Sequence, residues 1–156
     1  GFSLCRIKLH ALDVVRASSS LPFVSKIVEV DGIPMLDGGI ADSIPVQHAI
    51  DMGWQHNVVV LTRNKGWRDM GKDHKIPYLY KNYPRLRVAL SHRHRAYNEQ
   101  IQLVDDLEAA GKITCIRPIR PLEVGRIEKD TDKLERLYEE GFMLGEAFCE
   151  KCVEKE

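Results

Sequence analysis

The feature that most constrains this chain is a pair of short β-prone runs joined by the dipeptide Asp31-Gly32. The runs are residues 27–30 (Ile-Val-Glu-Val) and residues 33–36 (Ile-Pro-Met-Leu). Asp-Gly is favoured where a two-residue hairpin turn needs positive φ angles, so the pattern predicts a β-hairpin. The residue that follows the second run is Asp37. The hairpin would therefore present a carboxylate at a strand end.

Two glycines come directly after Asp37. Because glycine accepts backbone angles and close approaches that a Cβ would forbid, Gly38 and Gly39 predict a sharp turn that leaves the Asp37 side chain pointing into a cleft. An Asp in such a turn is also a common acceptor for nearby backbone N–H groups. The residues alone leave both a catalytic and a capping role open for Asp37. The next helix is expected to be capped by a polar residue and to have a proline in its first turn, the candidates being Asp42, Ser43 and Pro45.

Residues 17–22 (Ala-Ser-Ser-Ser-Leu-Pro) and 36–46 (Leu-Asp-Gly-Gly-Ile-Ala-Asp-Ser-Ile-Pro-Val), joined by the hairpin, resemble the C-terminal catalytic block of patatin-like phospholipases. Residues 97–99 and 116–118 and the closing helix resemble bacterial members of that family. Its members hydrolyse acyl esters with a Ser-Asp dyad whose Asp lies in an Asp-Gly-Gly or Asp-Gly-Ala motif. The resemblance implies that Asp37 is catalytic, that Gly38 and Gly39 support it, and that the substrate is a phospholipid or another acyl ester. We expect no cofactor.

One part of the family pattern is missing from the sequence. The nucleophile of the family lies in G-x-S-x-G, and its oxyanion hole is a glycine-rich loop nearer the N-terminus. None of the serines has glycine two positions before and after it: Ser3, Ser18, Ser19, Ser20, Ser25, Ser43 and Ser91. We therefore expect residues 1–156 to be a single domain that is the C-terminal part of a larger enzyme, inactive by itself.

The succession of apolar patterns predicts an α/β fold with a mainly parallel sheet and flanking helices. Helices are expected over residues 9–19, 46–52 and 84–110, the last two ended by Gly53 and Gly111. A final helix is expected to begin near Asp130 and Asp132. Residues 57–62 are continuously apolar, which is typical of a parallel strand buried on both faces. A further strand is expected over residues 113–117.

The formal net charge is zero, which argues against a nucleic-acid partner. The charge is nevertheless uneven, since residues 63–95 contain ten Lys or Arg and two Asp, whereas residues 123–156 contain eleven acids and six Lys or Arg. The basic block would suit anionic phospholipid headgroups and a peripheral membrane contact. The plainer alternative is a pair of solvated faces that complement each other in the fold. This basic block also contains four aromatic residues, Trp67, Tyr78, Tyr80 and Tyr83. They are interpreted either as part of a lid or as side chains that pack back on the core.

Several other polar residues have structural interpretations. Ser18, Ser19 and Ser20 lack a neighbouring base and are expected to make helix-end hydrogen bonds. Two histidines two apart on a helix point away from each other, so His92 and His94, with His74 upstream, do not predict a metal site. On the final helix, an apolar stripe with Gly141 and Gly145 predicts tight packing. Cys149 and Cys152 of that helix are expected to be partly buried thiols.

Three function classes follow from these residues. The first is the patatin-like serine acyl hydrolase, with Asp37 supplied by this chain. The second is a non-catalytic lipid- or protein-binding module on the same scaffold, and the third is an unrelated α/β domain. Four cysteines in no disulfide framework favour a reducing, cytoplasmic location. Exposed sheet edges would favour a homo-oligomer.

Overall fold

The computed structural model describes residues 11–71, 80–125 and 128–153. The chain divides into two compact units, of which one comprises residues 1–44 and 70–100 and the other residues 45–69 and 101–156. The described helices and strands are α1 (residues 11–18), β1 (Val28–Val30), β2 (Ile33–Met35), α2 (Val46–Asp51), β3 (Asn57–Val60), α3 (Pro84–Ala109), β4 (Ile113–Ile116) and α4 (Thr131–Val153). A 3-10 turn, Gly38–Ile40, follows β2.

The first unit contains the predicted hairpin. Strands β1 and β2 pair antiparallel, with Val28 opposite Met35 and Val30 opposite Ile33. Asp31 and Gly32 have φ angles of 51° and 75°, as the two-residue turn requires. Val28 and Val30 face inward, where they form a small apolar core with Ala17 of α1. The hairpin prediction is confirmed.

The second unit contains a parallel pair of strands, β3 and β4, in which Asn57 lies opposite Ile113 and Val60 opposite Ile116. The prediction that the first of these strands is buried on both faces is wrong, because Val58 and Val60 are 49% and 71% exposed. The described strands thus form one antiparallel and one parallel two-stranded sheet. The fold is mixed α/β, and a mainly parallel sheet is not shown.

Two helices end at the glycines that the sequence indicates. At the end of α2, Gly53 has a φ of 90°, and the backbone N–H groups of Gly53 and Trp54 donate to Ile50 and Ala49. At the end of α3, Gly111 has a φ of 68°, and Gly111 and Lys112 donate to Glu108 and Leu107 in the same way. Both are Schellman motifs, which satisfy the last carbonyl groups of a helix.

Helix α3 is the long helix that the sequence predicts, and it runs for 26 residues. Its deepest residues are Ile101 and Val104, which are 4% and 0% exposed. The remaining members of the predicted apolar stripe are only half-buried: Leu86, Leu90, Tyr97 and Leu107. The stripe is therefore buried chiefly in its C-terminal half.

Helix α4 begins where it is predicted to begin, because the Asp130 carboxylate accepts from the backbone N–H groups of Asp132 and Lys133. Its apolar stripe is not buried in the described part of the chain, since Tyr138 and Phe142 are 72% and 55% exposed. A Cβ at Gly141 or Gly145 would meet nothing within 4 Å among the described residues, so the predicted tight packing is not found in this part of the chain. Cys149 and Cys152 are exposed rather than partly buried.

Three predicted features lie outside the described residues. These are the first two positions of the helix predicted over residues 9–19, the side chain of Tyr78 and the side chain of His74.

Candidate active site

Asp37 is separated from the end of β2 by one residue, Leu36, and caps the following 3-10 turn. Its side-chain Oδ1 accepts a hydrogen bond from the Gly39 backbone N–H, with an O···N distance of 2.7 Å. Its own backbone N–H donates to the carbonyl of Ser20 at 2.9 Å. The residue is half-buried. No donor from the described residues contacts the second carboxylate oxygen, Oδ2.

The two glycines after Asp37 differ in their surroundings. Neither has a positive φ angle. A Cβ on Gly39 would lie 3.0 Å from Asp37 Oδ1, whereas a Cβ on Gly38 would meet nothing within 4 Å among the described residues. The close approach expected of both glycines is therefore found at Gly39. The structure gives no reason for glycine at position 38.

The carbonyl oxygen of Gly39 accepts two hydrogen bonds from side chains. One comes from Ser43 Oγ at 2.7 Å, and the other from Arg93 Nε of helix α3 at 3.1 Å. Gly39 is thus bound on both sides, by Asp37 at its N–H and by Ser43 and Arg93 at its C=O. We call residues 37–44 the Asp37 loop.

A second residue of α3, Gln100, binds the far end of the Asp37 loop. Its Oε1 accepts from the backbone N–H groups of Ser43 and Ile44 at 3.1 and 3.2 Å. Its Nε2 donates to Asp42 Oδ1 at 2.9 Å. One glutamine side chain therefore satisfies three polar groups of the loop.

These contacts correct the predicted capping of the next helix. Pro45 occupies the N-cap position of α2, and this cap has no side-chain hydrogen bond. The Ser43 hydroxyl points back to Gly39, and the Asp42 carboxylate binds Gln100. Both candidates are used to shape the Asp37 loop, which explains why neither caps α2.

The serine run ends α1, as predicted. Ser20 is 5% exposed, and its Oγ donates to the Arg16 carbonyl at 2.7 Å. Ser19 Oγ donates to the carbonyls of Val15 and Arg16. Because the Ser20 carbonyl in turn accepts from Asp37, this helix end also supports the candidate site.

The basic block of residues 63–95 is divided between the two units. Several of its side chains make contacts within the unit to which they belong. Arg68 pairs with Asp105 at 3.1 Å, and Lys65 pairs with Glu108 at 3.1 Å. The Arg63 guanidinium lies 4.9 Å from the centre of the Trp67 ring. In the other unit, Tyr80 is buried and its hydroxyl accepts from the backbone N–H of Phe23. Tyr80 thus packs back on the core, whereas Tyr83 is exposed. The acids paired with Arg68 and Lys65 lie outside the acidic block of residues 123–156.

Arg117 joins the ion pairs of Arg68 with Asp105 and of Lys65 with Glu108 into one charged network. Its Nη1 lies 2.8 Å from Asp105 and its Nη2 lies 2.7 Å from Glu108. Burial of Asp105 would by itself raise its pKa, but hydrogen bonds from Arg117 and Arg68 outweigh burial and lower the pKa. The same balance, with Lys65 as the main donor, lowers the pKa of Glu108. Burial raises the pKa of the nearby Cys115 thiol.

No group of three or more His, Cys, Asp or Glu side chains within the described ranges could hold a metal ion. Likewise, none of the described helices is both long and apolar enough to cross a bilayer.

Arg93 and Gln100 are the site residues that the sequence did not indicate. They are seven positions apart on α3, a spacing that puts them on one helix face. Their partners are mostly backbone groups 54 to 58 positions away. Basic and amide side chains on a polar helix face are usually solvated, and no local sequence pattern indicates that these two bind the Asp37 loop.

Two regions of the chain are similar to known families. Residues 8–50, which include the hairpin and the Asp37 loop, match the family described as patatin-like phospholipase. Residues 83–154, which include α3 and α4, match a domain of unknown function, DUF6363. The region of the candidate site is thus similar to a family of lipid hydrolases.

A particular relative is similar over most of the chain. It is the uncharacterized protein YjjU of Escherichia coli (strain K12), which is 29% identical over 151 residues. The alignment covers 90% of this chain and 41% of the relative. The chain therefore spans about two fifths of the length of the curated relative it matches.

Proposed function

We propose that this chain supplies Asp37 to the Ser-Asp dyad of a patatin-like lipid acyl hydrolase. The observation that carries the proposal is the presentation of Asp37. Its carboxylate follows a hairpin strand and is anchored through Oδ1 to Gly39 N–H at 2.7 Å, within the region similar to patatin-like phospholipases. The anchored oxygen fixes the carboxylate, and Oδ2 is the atom proposed to face the nucleophile.

The proposed nucleophile is a serine outside these 156 residues. Two observations support this: the sequence has no G-x-S-x-G pattern, and the relative is more than twice as long as the region it shares with this chain. In a dyad the carboxylate contacts the serine hydroxyl directly, so it must be held where it can accept the proton.

The reaction would proceed in two halves. As the serine Oγ attacks the acyl carbon, its proton passes to Asp37 Oδ2 and the carbonyl oxygen becomes an oxyanion. The ester C–O bond then breaks, and the alcohol leaves with the proton from Asp37. A water molecule repeats the sequence on the acyl-serine, which releases the fatty acid and restores the hydroxyl. The substrate class proposed is a phospholipid or another fatty-acyl ester.

The capping role of Asp37 makes one substitution especially informative. Asn keeps a side-chain oxygen that can accept from Gly39 N–H, but it cannot act as a base of carboxylate strength. We expect Asp37→Asn in the intact protein to lower kcat on a fluorogenic fatty-acyl ester by about 100-fold or more, without altering its far-UV circular dichroism or unfolding midpoint.

The matched control is Asp51→Asn, which removes an exposed carboxylate from α2 and should leave turnover unchanged. An Asp37→Asn protein with wild-type turnover would overturn the assignment. Salt-sensitive binding to anionic phospholipid vesicles by a wild-type protein that hydrolyses no acyl ester would instead support the non-catalytic binding module.

A further inference from the structure

We infer that Arg93 and Gln100 are positioning residues that hold the Asp37 carboxylate in its reactive orientation. This inference rests on the proposed function of Asp37. Neither side chain contacts the carboxylate itself in this structure; both act through the backbone of the Asp37 loop. Their position on α3 puts them within the region that matches the domain of unknown function.

Gly39 connects the carboxylate of Asp37 to the two side chains that bind its carbonyl group. The N–H of this residue fixes Asp37 Oδ1, and its C=O is fixed by Arg93 and Ser43. The two groups belong to different peptide planes, which are joined through the Cα of a glycine. Because glycine rotates more freely than any other residue, holding the carbonyl helps to keep the N–H directed at the carboxylate. The backbone N–H groups of Ile40 and Ala41, which donate to Asp37 and Gly38, restrain the same turn.

The other end of the Asp37 loop is held by Gln100. Gln100 binds the consecutive N–H groups of Ser43 and Ile44 and also the Asp42 side chain. Ile44 is buried, with 9% of its surface exposed. The loop is therefore held at Gly39 and at residues 42–44, and Ser43 connects the two places through its hydroxyl bond to Gly39.

Arg93 and Gln100 are seven residues apart on α3. Seven residues correspond to nearly two turns, or about 10 Å, along a helix. A rigid helix thus sets the distance between the two anchor points of a loop that contains two adjacent glycines. Since small errors in the placement of a reacting group can cost large factors in rate, α3 would control the dyad without touching the substrate.

The test uses the intact protein and two substitutions, Arg93→Met and Gln100→Met. Each replaces the hydrogen-bonding end of the side chain by an unbranched apolar one: the donor to Gly39 is lost at position 93, and the acceptor for Ser43 and Ile44 and the donor to Asp42 are lost at position 100. Arg85→Met and Gln102→Met are matched controls on the same helix. Gln102 bonds to Arg68 and Asp106, and among the described residues neither side chain bonds to the Asp37 loop. Hydrogen–deuterium exchange of peptides covering residues 37–44 reports the loop, and steady-state kinetics on a fatty-acyl ester reports the dyad.

We expect the two loop-facing variants to exchange at least tenfold faster in residues 37–44, with unchanged exchange in the hairpin. We expect kcat to fall about 10- to 100-fold while KM stays within twofold. Arg93→Lys, which can still donate to the Gly39 carbonyl, should restore most of both values. A purely structural role would lower stability without this rescue and without the split between kcat and KM.

The outcomes separate the two proposals. Unchanged exchange of the loop overturns the positioning role, whatever the activity. Faster exchange with unchanged kcat also overturns it, because the loop would then move without consequence for the dyad. If the wild-type protein hydrolyses no ester, the proposed function of Asp37 fails, and so does the catalytic role inferred for Arg93 and Gln100. The exchange data would still show whether Arg93 and Gln100 hold the loop.

Discussion

Gly39 is restrained both by hydrogen bonds to its backbone and by the lack of space for a side chain. Three side chains bond to its backbone, and a Cβ at this position would lie 3.0 Å from the carboxylate oxygen that its own N–H binds. Such a distance is shorter than ordinary van der Waals contact. The oxygen cannot retreat without lengthening its hydrogen bond.

The neighbouring glycine offers a matched comparison. We expect Gly39→Ala to be less stable than Gly38→Ala by about 1 kcal/mol, since only the former strains a hydrogen bond. Gly38→Ala should be neutral or slightly stabilising, because it lowers the entropy of the unfolded chain at a position with no positive φ angle. Urea unfolding of both variants measures the difference, and equal stabilities would contradict the assignment of the close approach to Gly39.

The same residues show what the sequence could and could not indicate. The position of Asp37 at a turn after the hairpin was predicted because a turn dipeptide, a strand end and a glycine pair are all local signals within ten residues. The bonds from Arg93 and Gln100 are decided by tertiary contacts more than 50 positions away, which no local signal encodes. The capping prediction for Asp42 and Ser43 was wrong for the same reason, since those side chains are used by Gly39 and α3.

At the scale of elements, local signals succeeded where the backbone itself decides. The hairpin, the ends of α2 and α3 and the start of α4 all depend on positive φ angles or on a capping carboxylate. The failures concern burial. Apolar patterns predicted that β3 and the stripe of α4 are covered, but a pattern says only which face is apolar and does not supply a neighbour to cover it.

The charged network among α3, β4 and the segment after β3 predicts how stability responds to acid. Arg117 and its partners Asp105 and Glu108 have side chains only 9%, 15% and 26% exposed. The pKa values of both carboxyl groups are lowered by folding. Their contribution is therefore fully present above the ordinary values of 3.8 and 4.5 and is lost as the pH falls through the lower values of the folded state.

Arg117→Met tests this account. We expect the variant to lose about 2 kcal/mol at pH 7, because it leaves two partly buried carboxylates short of a donor. Its stability should then fall less steeply than that of the wild type between pH 5 and pH 3. Urea unfolding at several pH values measures both effects, and Arg120→Met, an exposed neighbour, is the control. Parallel pH curves for wild type and Arg117→Met would contradict the role of this network.

For the molecule as a whole, the exposed face of α4 bears on association. Three large apolar side chains lie on this face at intervals of four residues. They are Leu134, Tyr138 and Phe142, which are 43%, 72% and 55% exposed. Large apolar side chains in a row on a helix face are typical of a surface that is covered by a partner. The homo-oligomer predicted from the sequence would use this face.

We expect the chain to associate in sedimentation velocity at micromolar concentration, and Phe142→Glu to shift it towards a monomer. Ala147→Glu adds the same charge to the same helix at another exposed position and should leave the distribution unchanged. A wild-type chain that sediments as a monomer at all concentrations would refute the prediction.

The separation in sequence between the Asp37 loop and its anchors has a consequence for how the protein is made. The hairpin depends on contacts a few residues apart and can form within microseconds, long before synthesis is complete. Gln100, by contrast, is 57 positions beyond Ser43, which corresponds to about 3 to 11 seconds of translation at 5 to 20 residues per second. During that interval the hairpin of a nascent chain would be folded, but the Asp37 loop would lack its hydrogen bonds to Arg93 and Gln100. The geometry proposed for catalysis would thus be acquired late, and a growing polypeptide would be unable to attack lipid before α3 has been added.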